Sequence, residues 1–109
     1  MSAGAAVDDS VLRAANSPRR RRILQLVWDD ELSSRQIASH LEEITWQAVS
    51  LNLRVLKEAG LVTERREGTR RFYRADRDRC APIEALLRSM WERDLGRLAS
   101  ALKQERKRR

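Results

Sequence analysis

The chain has 109 residues, 41% hydrophobic and 36% charged, with a formal net charge of +7 and one cysteine. That length fits one domain around one core. No apolar run approaches the roughly 20 residues needed to cross a bilayer, and a lone cysteine excludes both an intrachain disulfide and a cysteine-based metal cluster. The positive balance suits a polyanionic partner, because each neutralised phosphate releases condensed counterions. A basic surface that serves only solubility is the plainer alternative, but the basic residues cluster at 19–22, 65–79 and 103–109.

Residues 1–7 are small and read as a flexible lead-in. The start MSAGAAVDDS is acidic where a signal peptide is basic and then apolar, so a cytoplasmic location with no membrane partner is expected. A short helix over 8–16 presents Val11, Leu12 and Ala15 on one side. Ser17 before Pro18 is a helix start, the serine capping free backbone donors and the proline lacking a donor where none is needed. The helix runs to about residue 28 with Ile23, Leu24 and Val27 inward. Residues 19–22, all arginine, occupy its first turns, where cations oppose the helix dipole. A nearby carboxylate, a partner chain or phosphate has to favour them, unless they form only a solvated basic face.

Ser33 and Gln36 make an S-x-x-Q capping box, and Ile37, Ala38 and Leu41 form the buried stripe behind it. Glu42-Glu43-Ile44 breaks this helix and Thr45 caps the next. Helices joined so tightly cross steeply. In the second, Val49, Leu53 and Leu56 fall at i, i+4 and i+7 and fix the core face. Trp46, Gln47, Ser50, Leu51, Asn52 and Arg54 are the candidates for the opposite face. Gln and Asn can bond adenine edges and Arg can bond guanine or phosphate in a major groove. An ordinary amphipathic helix has a polar face too, so this face alone does not single out DNA.

Ala59-Gly60 ends the helix with a residue able to take the left-handed cap. Residues 61–66 and 70–75 read as strands joined at Glu67-Gly68-Thr69. Leu61, Val62 and Phe72 are expected to anchor this hairpin, leaving Arg65, Arg66, Arg70 and Arg71 near its tip to grip phosphate or enter a minor groove. A last helix over about 80–103 carries Ile83, Leu87, Met90 or Trp91, Leu95, Leu98 and Leu102. Burying a large apolar side chain is worth roughly 1.5 to 3 kcal/mol, and this stripe exceeds what one edge of a small core can cover. A second copy is the expected cover, with Val11, Leu12, Leu87, Met90, Trp91, Leu95 and Leu98 as the dimerisation set. Packing within the monomer alone is the alternative. Residues 105–109 are expected to be a basic tail, leaving 8–104 as the DNA-binding and dimerisation domain.

Cys80 follows Arg79 at an expected helix start, a setting that can lower a thiol pKa; it reads as redox-active or as a small packing residue. His40, at a helix end, reads as a cap or surface residue. With one histidine, one cysteine, no glycine-rich phosphate loop and no paired carboxylates in an apolar setting, no enzyme is expected.

The segments SPRRRRILQLV, LSSRQIASHL, TWQAVSLNLRVLKEAGLV and ERREGTRRFYR resemble the ArsR-type winged helix-turn-helix repressors of bacteria and archaea, over most of residues 17–74. The most specific part is A-V-S-x-x-L-x-V-L-x-x-A-G-L-V with an Arg-Glu-Gly wing behind it. The resemblance implies a mostly α fold with a small β-hairpin, in the order of four helices, two strands and a fifth helix. It also implies a homodimer through the first and last helices, and a second motif helix that reads double-stranded operator DNA. Many relatives bind metals through cysteines at the start of the motif or His and Asp on the last helix. Residues 29–38 hold no cysteine and the stretch after Cys80 no histidine. Cys80 and His40 cannot supply the three or four ligands that zinc or arsenite needs, so no metal or other cofactor is expected and the effector is unassigned. Glu42-Glu43 stands where relatives commonly carry one glycine, and Trp46 is bulkier than usual, packing over the turn or meeting a thymine methyl. The leading expectation is a homodimeric repressor at an inverted repeat. A protein-interaction module of the same fold, or a metal-responsive sensor with a non-standard site, are the alternatives.

Overall fold

A computed structural model describes residues 8–41 and 44–108, with side chains as far as residue 96. The expected lead-in, the Glu42-Glu43 break and the Leu98 and Leu102 side chains lie outside the described residues. The elements are α1 (Asp9–Ala15), α2 (Pro18–Leu26), β1 (Leu32–Ser33), α3 (Ser34–Ser39), α4 (Trp46–Glu58), β2 (Val62–Glu67), β3 (Arg70–Ala75), α5 (Arg77–Cys80), a 3₁₀ turn (Ala81–Ile83) and α6 (Glu84–Arg108).

Local chemistry sets the helix ends. The Ser17 hydroxyl accepts from the Arg20 amide at 3.3 Å with Pro18 in the first turn. Ser33 and Gln36 satisfy each other's backbone donors at 3.1 and 2.8 Å, and Thr45 accepts from the Ala48 amide at 3.1 Å. Such caps contribute about 1 kcal/mol each. At the end of α4 the Gly60 amide donates to Lys57 (2.9 Å) and the Leu61 amide to Leu56 (3.0 Å), the paired bonds of a Schellman motif. Gly60 has φ +79°, which favours glycine.

One core joins these elements: Ile23, Leu24 and Val27 of and just after α2, Ile37 of α3, Val49, Leu53 and Leu56 of α4, then Leu61, Cys80, Ile83 and Leu87. The sheet is antiparallel in the order β1-β3-β2. β1 was not anticipated, since two residues carry no period. The expected anchoring by Phe72 is corrected: Tyr73 and Ala75 are buried with Val62, and Phe72 is half-buried on the other side. Alternation along β3 forces this choice, because Ala75 lies opposite Val62 and Tyr73 opposite Glu64.

The last helix differs from expectation at both ends. Pro82 falls in a 3₁₀ turn between α5 and α6, and α6 continues to Arg108 where a tail was expected from 105. Its final residues are strong helix formers with no glycine or proline to stop them. The expected single stripe also splits. Leu87 and Trp91 point into the core, so their expected place on a dimer face is corrected; the Trp91 indole donates to the Arg21 carbonyl at 2.8 Å and meets Trp28 edge-on at 5.2 Å. Leu86 and Met90 instead flank a shallow depression of about 330 Å³ with Leu12 and Ala15 of α1. Leu95 is 56% exposed, while Val11 packs partly against the core.

Two arginines of α2 find partners on other elements. Arg21 is 7% exposed, and its Nε and Nη2 donate to the Asp94 carboxylate of α6 at 3.1 and 3.2 Å while Nη1 donates to the Ala15 carbonyl at 3.0 Å. Arg20 donates to the Ala14 and Arg13 carbonyls at 2.8 and 3.0 Å. Together they satisfy the free carbonyls at the end of α1, where cations are favourable, which offsets their position in the first turn of α2. Among the described residues no helix is long and apolar enough to cross a membrane.

Candidate nucleic-acid interface

The buried stripe of α4 turns its other side outward, and Trp46, Gln47, Ser50, Leu51 and Arg54 are all exposed. The β2–β3 hairpin stands beside this helix. Between them runs a groove of about 530 Å³ whose walls include Trp46, Ser50 and Arg54 from α4 and Arg70 and Arg71 from β3. Trp46 lines it at 52% exposure. Gln47 and Leu51 share the outward side of α4 without lining the groove.

Two of the expected residues are placed elsewhere. Asn52 is half-buried against α2: its Oδ1 accepts from Arg20 at 3.3 Å and its Nδ2 donates to the Ala48 carbonyl at 2.9 Å. Its position lies beside the Leu56 side of the helix, which the polarity of Asn concealed. Arg65 lies on the sheet face away from α4. It stacks on Phe72, its cross-strand partner, at 4.7 Å and is held by Glu31 at 2.7 Å and Glu67 at 2.8 Å. Arg65 in turn holds the Glu31 carboxyl below its ordinary pKa.

The groove holds residues that the sequence pattern did not single out. Lys57 follows Arg54 at i+3 and Ser50 at i+7, a spacing that would have found it. Arg35 follows the capping serine of α3 and points into the same space. Glu64 carried no signal, because its role depends on strand register. Its side chain is 10% exposed, with the Tyr73 hydroxyl donating to it at 2.9 Å and Lys57 at 3.2 Å, and with the Arg66 and Arg71 guanidinium groups as ion-pair neighbours at 3.8 and 3.9 Å. Burial opposes its ionisation, but Tyr73, Lys57 and Arg71 outweigh burial and hold the carboxyl below the usual carboxylate range. Burial and then Glu64 push the Tyr73 phenol up. Arg66 and Arg71 are directly opposed across the strands, a like-charge pair that Glu64 offsets.

Cys80 is fully buried with its Sγ 3.6 Å from the Leu61 carbonyl. Burial first, then Asp76, pushes its thiol up to about 11 against the opposing pull of Arg77. The expectation of a lowered pKa is corrected, because the thiol faces the core rather than Arg79. His40 is exposed and turns Nδ1 to the Gln36 carbonyl at 2.9 Å as the C-cap of α3. Among the described residues no cluster of three or more His, Cys, Asp or Glu could hold a metal ion.

A helix-turn-helix domain family matches residues 15–65. The chain is similar to the HTH-type transcriptional regulator Rv0324 of Mycobacterium tuberculosis, with 36% identity over 100 residues covering 89% of this chain and 44% of Rv0324. The chain therefore spans less than half the length of that relative. It is also similar to the transcriptional repressor SdpR of Bacillus subtilis, with 31% identity covering 60% of this chain and 71% of SdpR. Among solved structures it resembles the homodimeric winged helix-turn-helix DNA-binding domain of Mb0332 from Mycobacterium bovis, described as a possible ArsR-family regulator. That match has a TM-score of 0.66 and 34% identity and covers 80% of each chain.

Proposed function

Because the chain belongs to the ArsR-type winged helix-turn-helix transcriptional regulators, a DNA-binding family, we propose that it acts as a homodimeric repressor that occludes a promoter at an inverted-repeat operator. The observation that carries the reading is the groove between α4 and the hairpin, with Ser50 and Arg54 on one wall and Arg70 and Arg71 on the other. In this reading α4 enters the major groove, Gln47, Ser50 and Arg54 meet base edges, and Arg66, Arg70, Arg71 and Lys57 meet phosphate. Asn52 and Arg65 act through structure, the first seating α4 on α2 and the second tying the outer half of the hairpin to Glu31. Residues 8–108 then form one reading and pairing unit.

The pairing surface of this proposal is the α1–α6 face with Leu12, Leu86, Met90 and Leu95, three of which are among the exposed large hydrophobics. SdpR is named a repressor and the Mb0332 domain a homodimer, which supports both parts by similarity. A two-fold pair would place its half-sites about one DNA turn apart, roughly 34 Å.

Gel-shift titration against genomic fragments at two salt concentrations tests the reading. Gln47→Ala is expected to relax sequence preference, and Arg70→Ala to weaken all duplexes and flatten the salt slope by about one. Failure to bind any duplex at either salt concentration would favour a protein-docking role for the same fold.

A further inference from the structure

The outward side of α4 is polar except for Trp46 and Leu51, and Leu51, at 60% exposure, is the most exposed large hydrophobic among the described residues. At 3.6 residues per turn these two lie about 140° apart around the helix. Ser50, Arg54 and Gln47 occupy the arc between them. Trp46 opens toward the hairpin, while Leu51 borders the opposite edge of the polar strip and does not line the groove. The core side of α4 is already filled by Val49, Leu53 and Leu56, so no packing within the monomer recovers the Leu51 side chain.

A base pair in the major groove offers the same layout. Donors and acceptors that Gln and Arg can bond lie along its edge, and thymine adds a 5-methyl group beyond its O4 acceptor. We infer that Leu51 reads a thymine 5-methyl group in each half-site, beside the bases that Gln47 and Arg54 face. This rests on the DNA reading of α4 proposed above. Covering one methyl-sized apolar group corresponds to about fourfold in affinity, hence about 15-fold when both half-sites of a dimer lose it.

The test selects bound duplexes from a random-sequence library with the full chain, then replaces each consensus thymidine with deoxyuridine, which deletes only the methyl group. One position per half-site is expected to cost the parent protein about fourfold and to cost Leu51→Ala nothing; thermal melting checks that this surface variant keeps its fold. If deoxyuridine is tolerated at every position, or its cost persists undiminished in Leu51→Ala, the inference is overturned while the consensus leaves the regulator reading intact. If selection yields no consensus, the regulator reading falls and this inference with it.

Discussion

Asp94→Ala isolates the bond between α2 and α6. Removing one partner of a buried ion pair costs about 3 to 5 kcal/mol, mostly from the charge left behind. Here the orphan would be Arg21, 7% exposed and left with the Ala15 carbonyl at 3.0 Å as its acceptor. The Asp94 side chain is 28% exposed, so water can enter the vacated space and the expected loss falls to about 2 to 3 kcal/mol. Urea unfolding followed by tryptophan fluorescence reads this directly, because Trp91 donates to the Arg21 carbonyl and meets Trp28 edge-on. With a slope of about 1 to 3 kcal/mol per molar, the midpoint should fall by about 0.7 to 3 M at fixed protein concentration. The double variant Arg21→Met, Asp94→Leu removes both charges and should recover to within about 1 kcal/mol of the parent. A loss below about 0.5 kcal/mol for Asp94→Ala, or a double variant no better than the single one, would refute the argument.

The same geometry sets three further outcomes. The Cys80 thiol, buried and raised to about 11, should react with a disulfide reagent at pH 8 only as fast as the protein opens, and at once in guanidinium; fast native-state labelling contradicts its burial. The folded-state pKa of Glu64 is lowered, so its stabilising effect is complete above the ordinary carboxylate value of 4.5 and is lost as pH falls through the folded value. Glu64→Gln should therefore flatten the acid limb of stability measured by urea midpoints, leaving the part that Glu31 contributes; an unchanged limb counts against the Glu64 cluster. Leu95→Glu, on the exposed side of α6, should weaken self-association at least tenfold by sedimentation while the monomer melts as before; an unchanged dimer moves the pairing surface elsewhere.

What could be read in advance was whatever neighbouring residues decide. Ser17 with Pro18, Ser33 with Gln36 and Thr45 mark helix starts through bonds spanning three residues, and each bond is present. The Val49, Leu53, Leu56 stripe was likewise visible because helix period and burial agree. Choices set by distant partners were hidden. Phe72 and Tyr73 are equally suited to a strand, and only the register against β2 decides which one faces the core. Leu87, Met90 and Trp91 lie on one broad stripe, and its division between core and surface follows from where α2 and α1 stand. Asn52 and Arg21 carry polarity that usually signals exposure, yet the partners that bury them are 32 and 73 residues away in sequence. The candidate site was legible as a helix face and an arginine hairpin, but not as a groove with Glu64 in its wall.

Arg20 and Arg21 are consecutive, and one reaches α4 through Asn52 while the other reaches α6 through Asp94. A single turn of α2 thus braces two helices that would otherwise be free to tilt against each other. Strain applied to either is passed on through two short, directional links and not absorbed by soft packing. If α4 and the hairpin read a duplex as proposed, the braced helices would meet it as a stiff frame, and adjustment to local variation would fall to the hairpin, whose tip at Gly68 has open space around it. Loosening that brace, by Asn52→Ala for example, would trade sharpness of fit for tolerance of mis-spaced sites.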